Sequence, residues 1–528
     1  MEEKKVCIVG AGVSGLAACK YLVQKGFHPV LFESDRVVGG VWARTLPSTR
    51  LQSSPLDYQY SDFPWPETLT KIFPDHNQVV EYLGSYARRF DLLKYVRFGE
   101  KVMSLDYVGA GEKEMEAWDM WSGNGEAFGG SRRGTWHVTV RKEDDGSCQV
   151  HIMDFVILCV GRYSGLLNIP SFPANKGPEA FNGEVIHVMD YCKMGSSAAD
   201  KFLKGKRVTV VGFRKFALDV AAECANVNGP EYPCTMIIRG KHWNIPKFVA
   251  WGIPLHYFCL NRFSELFFDR PGGGLLLSIL ATMLSPLVWL FTKFTESYFK
   301  KIIPIKKYGM VPEHSFFQAM FSCLVCVLPE NFYKKVEEGS IVLKHSKSFE
   351  FCKNGIIVEG DTSPINTDLM IFATGFKSDQ KIKDLFISPH FQKIVIGSLD
   401  FTIPLYRECI HPRIPQLAII GYSEHASNIY LSEMRARWLA HFINGGFLLP
   451  SINDMEKSVK EWDKYMKRYL GKFFRRSCIT SLHLWYNDQL CKDLGCNPKR
   501  KKGFLAEWFI SYKPTDYANL EEEQKSML

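Results

Sequence analysis

Two glycine-bearing turns carry most of the chemistry that this sequence has to offer. Gly10, Gly12 and Gly15 fall at G-x-G-x-x-G spacing, with Ala11, Val13 and Ser14 between them. Such a turn is a phosphate cradle: Gly10 makes the tight turn, Gly12 lets backbone approach a pyrophosphate, and Gly15 lets helix and strand pack closely. The helix N-terminus that follows holds the phosphate charge. Glu33 closes the next apolar run, where a carboxylate accepts hydrogen bonds from an adenosine ribose. The second turn is Gly212-Phe213-Arg214-Lys215-Phe216-Ala217. Alanine is tolerated at its third position. Arg214 replaces the second glycine, so its side chain must swing aside or touch phosphate itself. Arg239 stands where an acid selective for NAD would be, and its guanidinium can grip a 2′-phosphate.

Each turn needs a strand before it and a helix after it. Val6 to Val9 reads as a buried parallel strand, and Leu16 to Leu22 as a helix that stops at Gly26. The run Val30 to Phe32 leads to Glu33. Gly39-Gly40-Val41-Trp42 then adds a second close approach of backbone, which favours FAD over NAD at the first site. Around the second turn, Val208 to Val211, a helix from Leu218 to about Ala225, and Met236 to Ile238 repeat the order. A buried strand closed by glycine also recurs, as Asp154 to Gly161 and as Asp368 to Gly375. Each copy follows strand-like segments joined by a turn, which suggests one sheet-forming unit used twice.

The expected architecture is α/β, with two Rossmann-like dinucleotide-binding domains and a helical apolar insertion. At 528 residues the chain has room for two or three domains. The boundaries read as 1–175 for the first part of an FAD domain, 176–335 for an inserted NADPH domain, and 336–528 for the rest. Residues 109–134, rich in glycine, read as an exposed excursion. A long helix is expected to begin near Ser432, with Glu433 and the arginines after it pairing along an exposed face. Trp65, Trp243, Trp251 and Phe258 are candidate pocket aromatics, though such residues more often belong to a core.

Composition narrows the class further. The chain is 46% hydrophobic and 23% charged, as globular proteins are. Its net charge of +9 is spread along the chain, apart from Lys472 to Arg476 and Lys499 to Lys502. Solvated faces or weak attraction to an anionic membrane account for these, and nothing resembles a nucleic-acid-binding module. The 15 cysteines lie mostly in apolar runs and read as reduced thiols, with Cys323 and Cys326 in the core. The chain enters its first strand at once, which suggests a cytoplasmic location. Residues 271–292 carry no charge. They are read as a buried or lid-forming helical hairpin, as a peripheral contact with a membrane such as the endoplasmic reticulum, or as a span. Lys293, Lys300 and Lys301 suit the interfacial case. The C-terminal Ser526-Met-Leu528 is a weak peroxisomal alternative.

With these motifs assembled, the chain resembles the flavin-containing monooxygenases, and most of all the plant group that includes the pipecolate N-hydroxylase. The family signature F-x-G-x-x-x-H-x-x-x-[YF] is met by Phe181, Gly183, His187 and Tyr191. The segments Ser61 to Pro66, Ala373-Thr374-Gly375 and Glu433 to Trp438 match as well, and Gly421 closes a further strand. The resemblance implies cofactor contacts at the signature residues, at Thr374 and Gly375, and at Gly421. It also implies a reaction cycle. NADPH reduces FAD, O₂ gives a C4a-hydroperoxide, and a soft nucleophile, amine nitrogen or sulfur, takes the distal oxygen. Alternatives within the class are a Baeyer–Villiger or oxidative decarboxylating monooxygenase acting on a 2-oxo acid, or a flavoprotein impaired in NADPH turnover. Gln52 stands where many relatives have a catalytic Asn beside the flavin, and keeps both its donor and its acceptor one methylene further out. No compact carboxylate pair or nucleophile triad is evident, which suits a reaction whose hard chemistry belongs to the cofactor. The implied partners are a small nucleophilic substrate and O₂.

Overall fold

The computed structural model describes residues 4–69, 71, 73–130, 134–258, 260–398, 402–520 and 523, without the side chains of 196, 258, 475 and 476. The Phe258 side chain, Cys259 and the terminal tripeptide lie outside them. Two five-stranded, all-parallel sheets form the frame. In the first, the order is Leu417–Ile419, Phe155–Leu158, β1 (Val6–Val9), β2 (Val30–Glu33) and Val96–Phe98. In the second it is Glu184–His187, Leu369–Phe372, Val208–Val211, Cys234–Ile238 and Ile341–His345. The strand before each glycine turn is central. Unbroken apolar runs suit strands covered on both faces, and β1, Phe155–Leu158 and Leu369–Phe372 are buried at every position.

The repeated strand-to-glycine unit is realised in three dimensions. A three-stranded antiparallel sheet (Glu100–Val108, Thr135–Lys142, Cys148–Met153) delivers the chain into the first large sheet at Phe155. A smaller one (Phe349–Cys352, Gly355–Val358, Ile365–Asn366) delivers it into the second at Leu369. This corrects the expected boundary at 335/336. Ile341–His345 and Leu369–Phe372 hydrogen-bond into the second sheet, so that unit runs on to about Gly375.

Three further expectations change. The helix expected near Ser432 begins at Asn428, runs to Ile443 and is buried almost throughout, because it packs on α1 (Val13–Gln24) in the core of the first unit. The glycine-rich excursion is anchored rather than free. Trp121 is buried, and its indole N–H donates to the carbonyls of His411 and Ile414 at 3.1 Å each. The apolar stretch is neither a hairpin nor buried. It forms one 29-residue helix, Gly274–Ile302, through Pro286. Its central hydroxyls bond back to the helix, Thr282 to the Ser278 carbonyl at 2.7 Å. Leu275, Leu276 and Met283 are 77, 84 and 73% exposed.

Candidate active site

The first glycine turn is shaped by close approach. Gly10 has φ +103°, and a Cβ there would lie 2.7 Å from the Cys159 carbonyl oxygen. A Cβ on Gly15 would overlap the Gly10 carbonyl oxygen. Gly12 meets Gly40, whose Cβ would sit 3.2 Å from the Gly12 Cα, and Gly39 N–H donates to the Ala11 carbonyl at 3.1 Å. The Gly10–Gly15 turn and the Gly39-Gly40 turn thus lie backbone to backbone. Gly12 caps α1 without any side-chain hydrogen bond, which leaves the first-turn N–H groups free of a side-chain cap. This bare, donor-lined backbone fits a pyrophosphate. Glu33 braces the turn: its carboxylate accepts from Ala11 N–H at 2.6 Å and from Asp35 N–H at 2.9 Å. Burial raises its pKa, against the opposing pull of the Ala11 N–H. Oε1 also accepts from the Ser34 hydroxyl at 3.2 Å, so Oε2 is the oxygen that retains a lone pair for a ribose hydroxyl. Ser14 reaches across to Ser432 at 3.0 Å, and Gly421 has no room for a side chain beside the Ser14 hydroxyl.

The second turn repeats the geometry with larger residues. A Cβ on Gly212 (φ +138°) would lie 2.7 Å from the Ala373 carbonyl oxygen, as Gly10 stands to Cys159. Ala217 is buried at the third position. Arg214 caps the helix Lys215–Asn228 with its backbone only, and its side chain swings away to donate to the Cys323 carbonyl at 3.3 Å. Lys215 Nζ donates to Asp219 at 2.8 Å. Burial pushes the Asp219 carboxyl up to about 6, with the Lys215 ammonium opposing it. Phe213 is buried, and its carbonyl accepts from Asn244 at 3.1 Å. Arg239 stands exposed just past Ile238.

A cleft of about 1180 Å³ lies between the two units. Val41, Trp42 and Gln52 line it from the first unit, and Arg214, Lys215 and Phe216 from the second, with Thr374 and Gly375 at the crossing between them. Trp42 Nε1 donates to the Tyr58 hydroxyl at 2.9 Å. Thr374 and Gly375 are tied to Asn168, whose N–H donates to the Gly375 carbonyl at 2.9 Å. Gln52 Oε1 accepts from Val327 N–H at 2.8 Å, which leaves the carboxamide NH₂ as its remaining donor.

The sequence pattern of the FMO-like family, "Flavin-binding monooxygenase-like", matches residues 3–510. The chain belongs to this family. It is 39% identical to the "Probable flavin-containing monooxygenase 1" of Arabidopsis thaliana over 534 aligned positions, which cover 100% of this chain and 98% of that one. Among solved structures, its fold is similar to OTEMO in complex with FAD and NADP (TM-score 0.67, 18% identity, 93% of this chain and 97% of that one). It is also similar to the S-allyl-L-cysteine S-oxygenase of Allium sativum (TM-score 0.54, 16% identity, 99% and 93%). The protein is therefore an oxidoreductase of the flavin monooxygenase kind.

The signature residues of this flavin monooxygenase are not among those that line the cleft, although Val188, next to His187, is. Phe181 packs on Phe351 at 5.6 Å. Gly183 leaves room for the Asp368 carbonyl, 2.5 Å from where its Cβ would be. His187 caps the helix Val188–Cys192 by accepting from Met189 N–H at 3.2 Å, and burial lowers its pKa. Tyr191 donates to Glu223 at 2.8 Å. All four hold an edge strand and its following helix onto the second unit. The three candidate indoles are likewise not cleft residues. Trp65 stacks on Tyr82 at 4.3 Å, Trp243 is buried, and Trp251 leans on Phe294 of the exposed helix.

Sequence reasoning missed the buried charges beneath the first turn. Glu433 accepts from the Tyr21 hydroxyl at 2.6 Å and from Ser61 N–H at 2.8 Å, and pairs with Arg437 at 3.2 Å. Both charged residues are buried, so they do not pair along an exposed face. Lys20, also buried, meets Asp62 at 2.5 Å. The S-D-F-P-W-P segment and the Glu433–Trp438 segment are two halves of one network. A lysine inside the apolar stripe of α1 was the available signal. The reduced-cysteine expectation also fails at one place, where Cys323 is bonded to Cys478. Cys326 is buried, as expected.

Proposed function

We propose that the protein is an NADPH- and O₂-dependent monooxygenase with FAD in the first site and NADPH in the second, and that it oxygenates the nitrogen or sulfur of a small soft nucleophile. The observation that carries the reading is Gln52, which lines the cleft between the two turns with its carbonyl committed to Val327 and its NH₂ left to donate. Bound flavin supplies the oxygen-activating chemistry. The chain supplies binding and orientation. The backbone of Gly10 to Gly15 holds one pyrophosphate, and the turn at Gly212 holds the other. Arg239 provides a guanidinium for the 2′-phosphate. Gln52 provides a hydrogen bond at the reacting end of the cleft. The apolar wall, with Trp42, Phe216 and Leu255, limits water.

The test is to follow NADPH oxidation by the FAD-loaded protein with panels of amines, amino acids, thioethers, ketones and 2-oxo acids. Products gaining one oxygen at nitrogen or sulfur, formed one for one with NADPH consumed, are expected. Ester formation from ketones would replace this reading with Baeyer–Villiger oxidation. Carbon dioxide release from a 2-oxo acid would replace it with oxidative decarboxylation. Consumption of NADPH that yields only peroxide would remove the oxygenase reading.

The same protein is proposed to sit on a membrane face, that of the endoplasmic reticulum by preference, from the cytoplasmic side. Two exposed apolar elements support this. One is the helix Gly274–Ile302 and the other is Phe504–Phe509 with Ile510. Exposed Lys293 and Lys301 flank the first, and Lys499 and Lys502 the second, as anionic headgroups would favour. Co-sedimentation with phosphatidylserine vesicles that Leu276→Glu abolishes is expected. Failure of the unaltered protein to sediment with them would end the idea.

A further inference from the structure

The disulfide Cys323–Cys478 spans 155 residues of sequence and joins the two walls of the cleft, Cα to Cα 5.9 Å. On one side, the segment after Cys323 belongs to the second unit. Cys326–Val327 pairs in parallel with Asn244–Ile245, Val327 N–H donates to Gln52, and the Cys323 carbonyl takes Arg214. On the other side, Cys478 lies between Ser477 and Ile479, which form backbone hydrogen bonds with Glu424 at 3.0 and 2.9 Å. Glu424 leads directly into Ser427, the cap of the long buried helix. One covalent bond therefore fixes the partners of Gln52 and of Arg214 relative to the first unit. The two sulfurs differ in access. Cys323 is half-buried and lines the cleft, whereas Cys478 is buried. The Thr480 hydroxyl, also on the cleft wall, contacts both, at 3.4 and 3.3 Å.

We propose that Cys323 and Cys478 form a redox-operated clasp across the cleft. It is closed by hydrogen peroxide and opened by a small thiol, and in its closed form it sets the affinity for the dinucleotide held by the second turn. Closing takes two thiols and one peroxide to one disulfide and two waters. Opening begins with a thiolate attacking the accessible Cys323 sulfur and expelling the buried Cys478 thiolate. A second thiol then releases Cys323 as a free thiol, and the reductant leaves as its disulfide. The activity consequence rests on the function proposed above; the bond itself does not.

The experiment uses the full-length, FAD-loaded protein, treated with peroxide or with dithiothreitol, alkylated and mapped without reduction. A linked Cys323–Cys478 peptide is expected after peroxide, and two alkylated cysteines after dithiothreitol. The KM for NADPH in flavin reduction is expected to rise at least threefold on reduction and to return after peroxide. Cys478→Ser and Cys323→Ser should hold the higher value under both treatments, while Cys326→Ser keeps the response. Two thiols that alkylate under both treatments, or a linked peptide with a KM that dithiothreitol leaves unchanged, would overturn the clasp. If NADPH reduces the flavin in neither state, the functional reading fails separately. The clasp is then read from Cys326, which iodoacetamide should alkylate faster in Cys478→Ser than in the disulfide form; equal rates would overturn it.

Discussion

The two dinucleotide turns share a sheet order, a closing carbonyl and a leading three-stranded sheet, yet they are supported differently. Beneath the first lies a network of charges, buried Lys20 with the exposed Asp62 and the buried pair Glu433 with Arg437, tied to Tyr21 and Ser61. Beneath the second, Asp219 has Lys215 as its charged partner, and the turn carries Arg214 and Phe216 where smaller residues leave more room. The first turn is fixed by backbone contacts and by a buried ion pair beneath it. The second borrows its fixation from the Cys323 segment of the cleft wall. A cofactor that stays bound through many turnovers needs the former, and one that binds and leaves each cycle is served by the latter.

The largest test of this contrast is at the third position of each turn. Gly15→Ala places a methyl on the Gly10 carbonyl, so the purified protein should lose bound flavin, seen as loss of its visible absorbance. The mirror change, Ala217→Gly, should cost only about 1 kcal/mol of stability and leave flavin content unchanged. Next comes Glu433→Ala, which removes the carboxylate paired with buried Arg437 and should lower unfolding free energy by roughly 3–5 kcal/mol in denaturant titration. Asp219→Asn should lose markedly less, since burial already moves that carboxyl up to about 6. Equal losses would erase the distinction between the two supports. Arg239→Ala should raise the KM for NADPH about 10- to 100-fold, from a charge-assisted contact of roughly 1.5–3 kcal/mol, and leave that for NADH nearly unaltered.

A graded effect is expected with pH. His411 and His425, both in the first unit, are held by burial at about 4. A base with a depressed folded-state value gives stability that is present above its ordinary 6.5 and is lost as pH falls toward 4. At pH 5 this is about 2 kcal/mol or less for each residue. Thermal melts from pH 7 to 4.5 should lose stability in the unaltered protein and lose less in His411→Gln.

The parts of this molecule that are governed by local rules were legible in the sequence. Four-residue apolar strands, glycines at fixed spacing and a strand-end acid each point to their own conformation, and all of them formed. What escaped depends on residues far apart in the chain. Glu433 meets Ser61 across 372 positions, and Cys323 finds Cys478 across 155; no periodicity reports such a meeting. The exposed helix misled in another way. Its composition is that of a core segment, and only the packing of neighbouring elements decides which face is covered. The signature residues are expected at the cofactor from the family resemblance alone; the structure adds that their side chains hold a strand edge and a helix.

The edge strand Leu417–Ile419 carries a consequence for how the protein is made. It completes the first sheet by pairing with Phe155–Leu158, and the helix after it seats on α1. A ribosome emitting the chain from its N-terminus exposes α1 and the open edge of Phe155–Leu158 hundreds of residues before the partner of either exists. The second unit, whose strands lie between 184 and 372, can close first. The flavin half is therefore an open, waiting surface during synthesis, and it becomes a finished domain only when nearly the whole polypeptide has emerged.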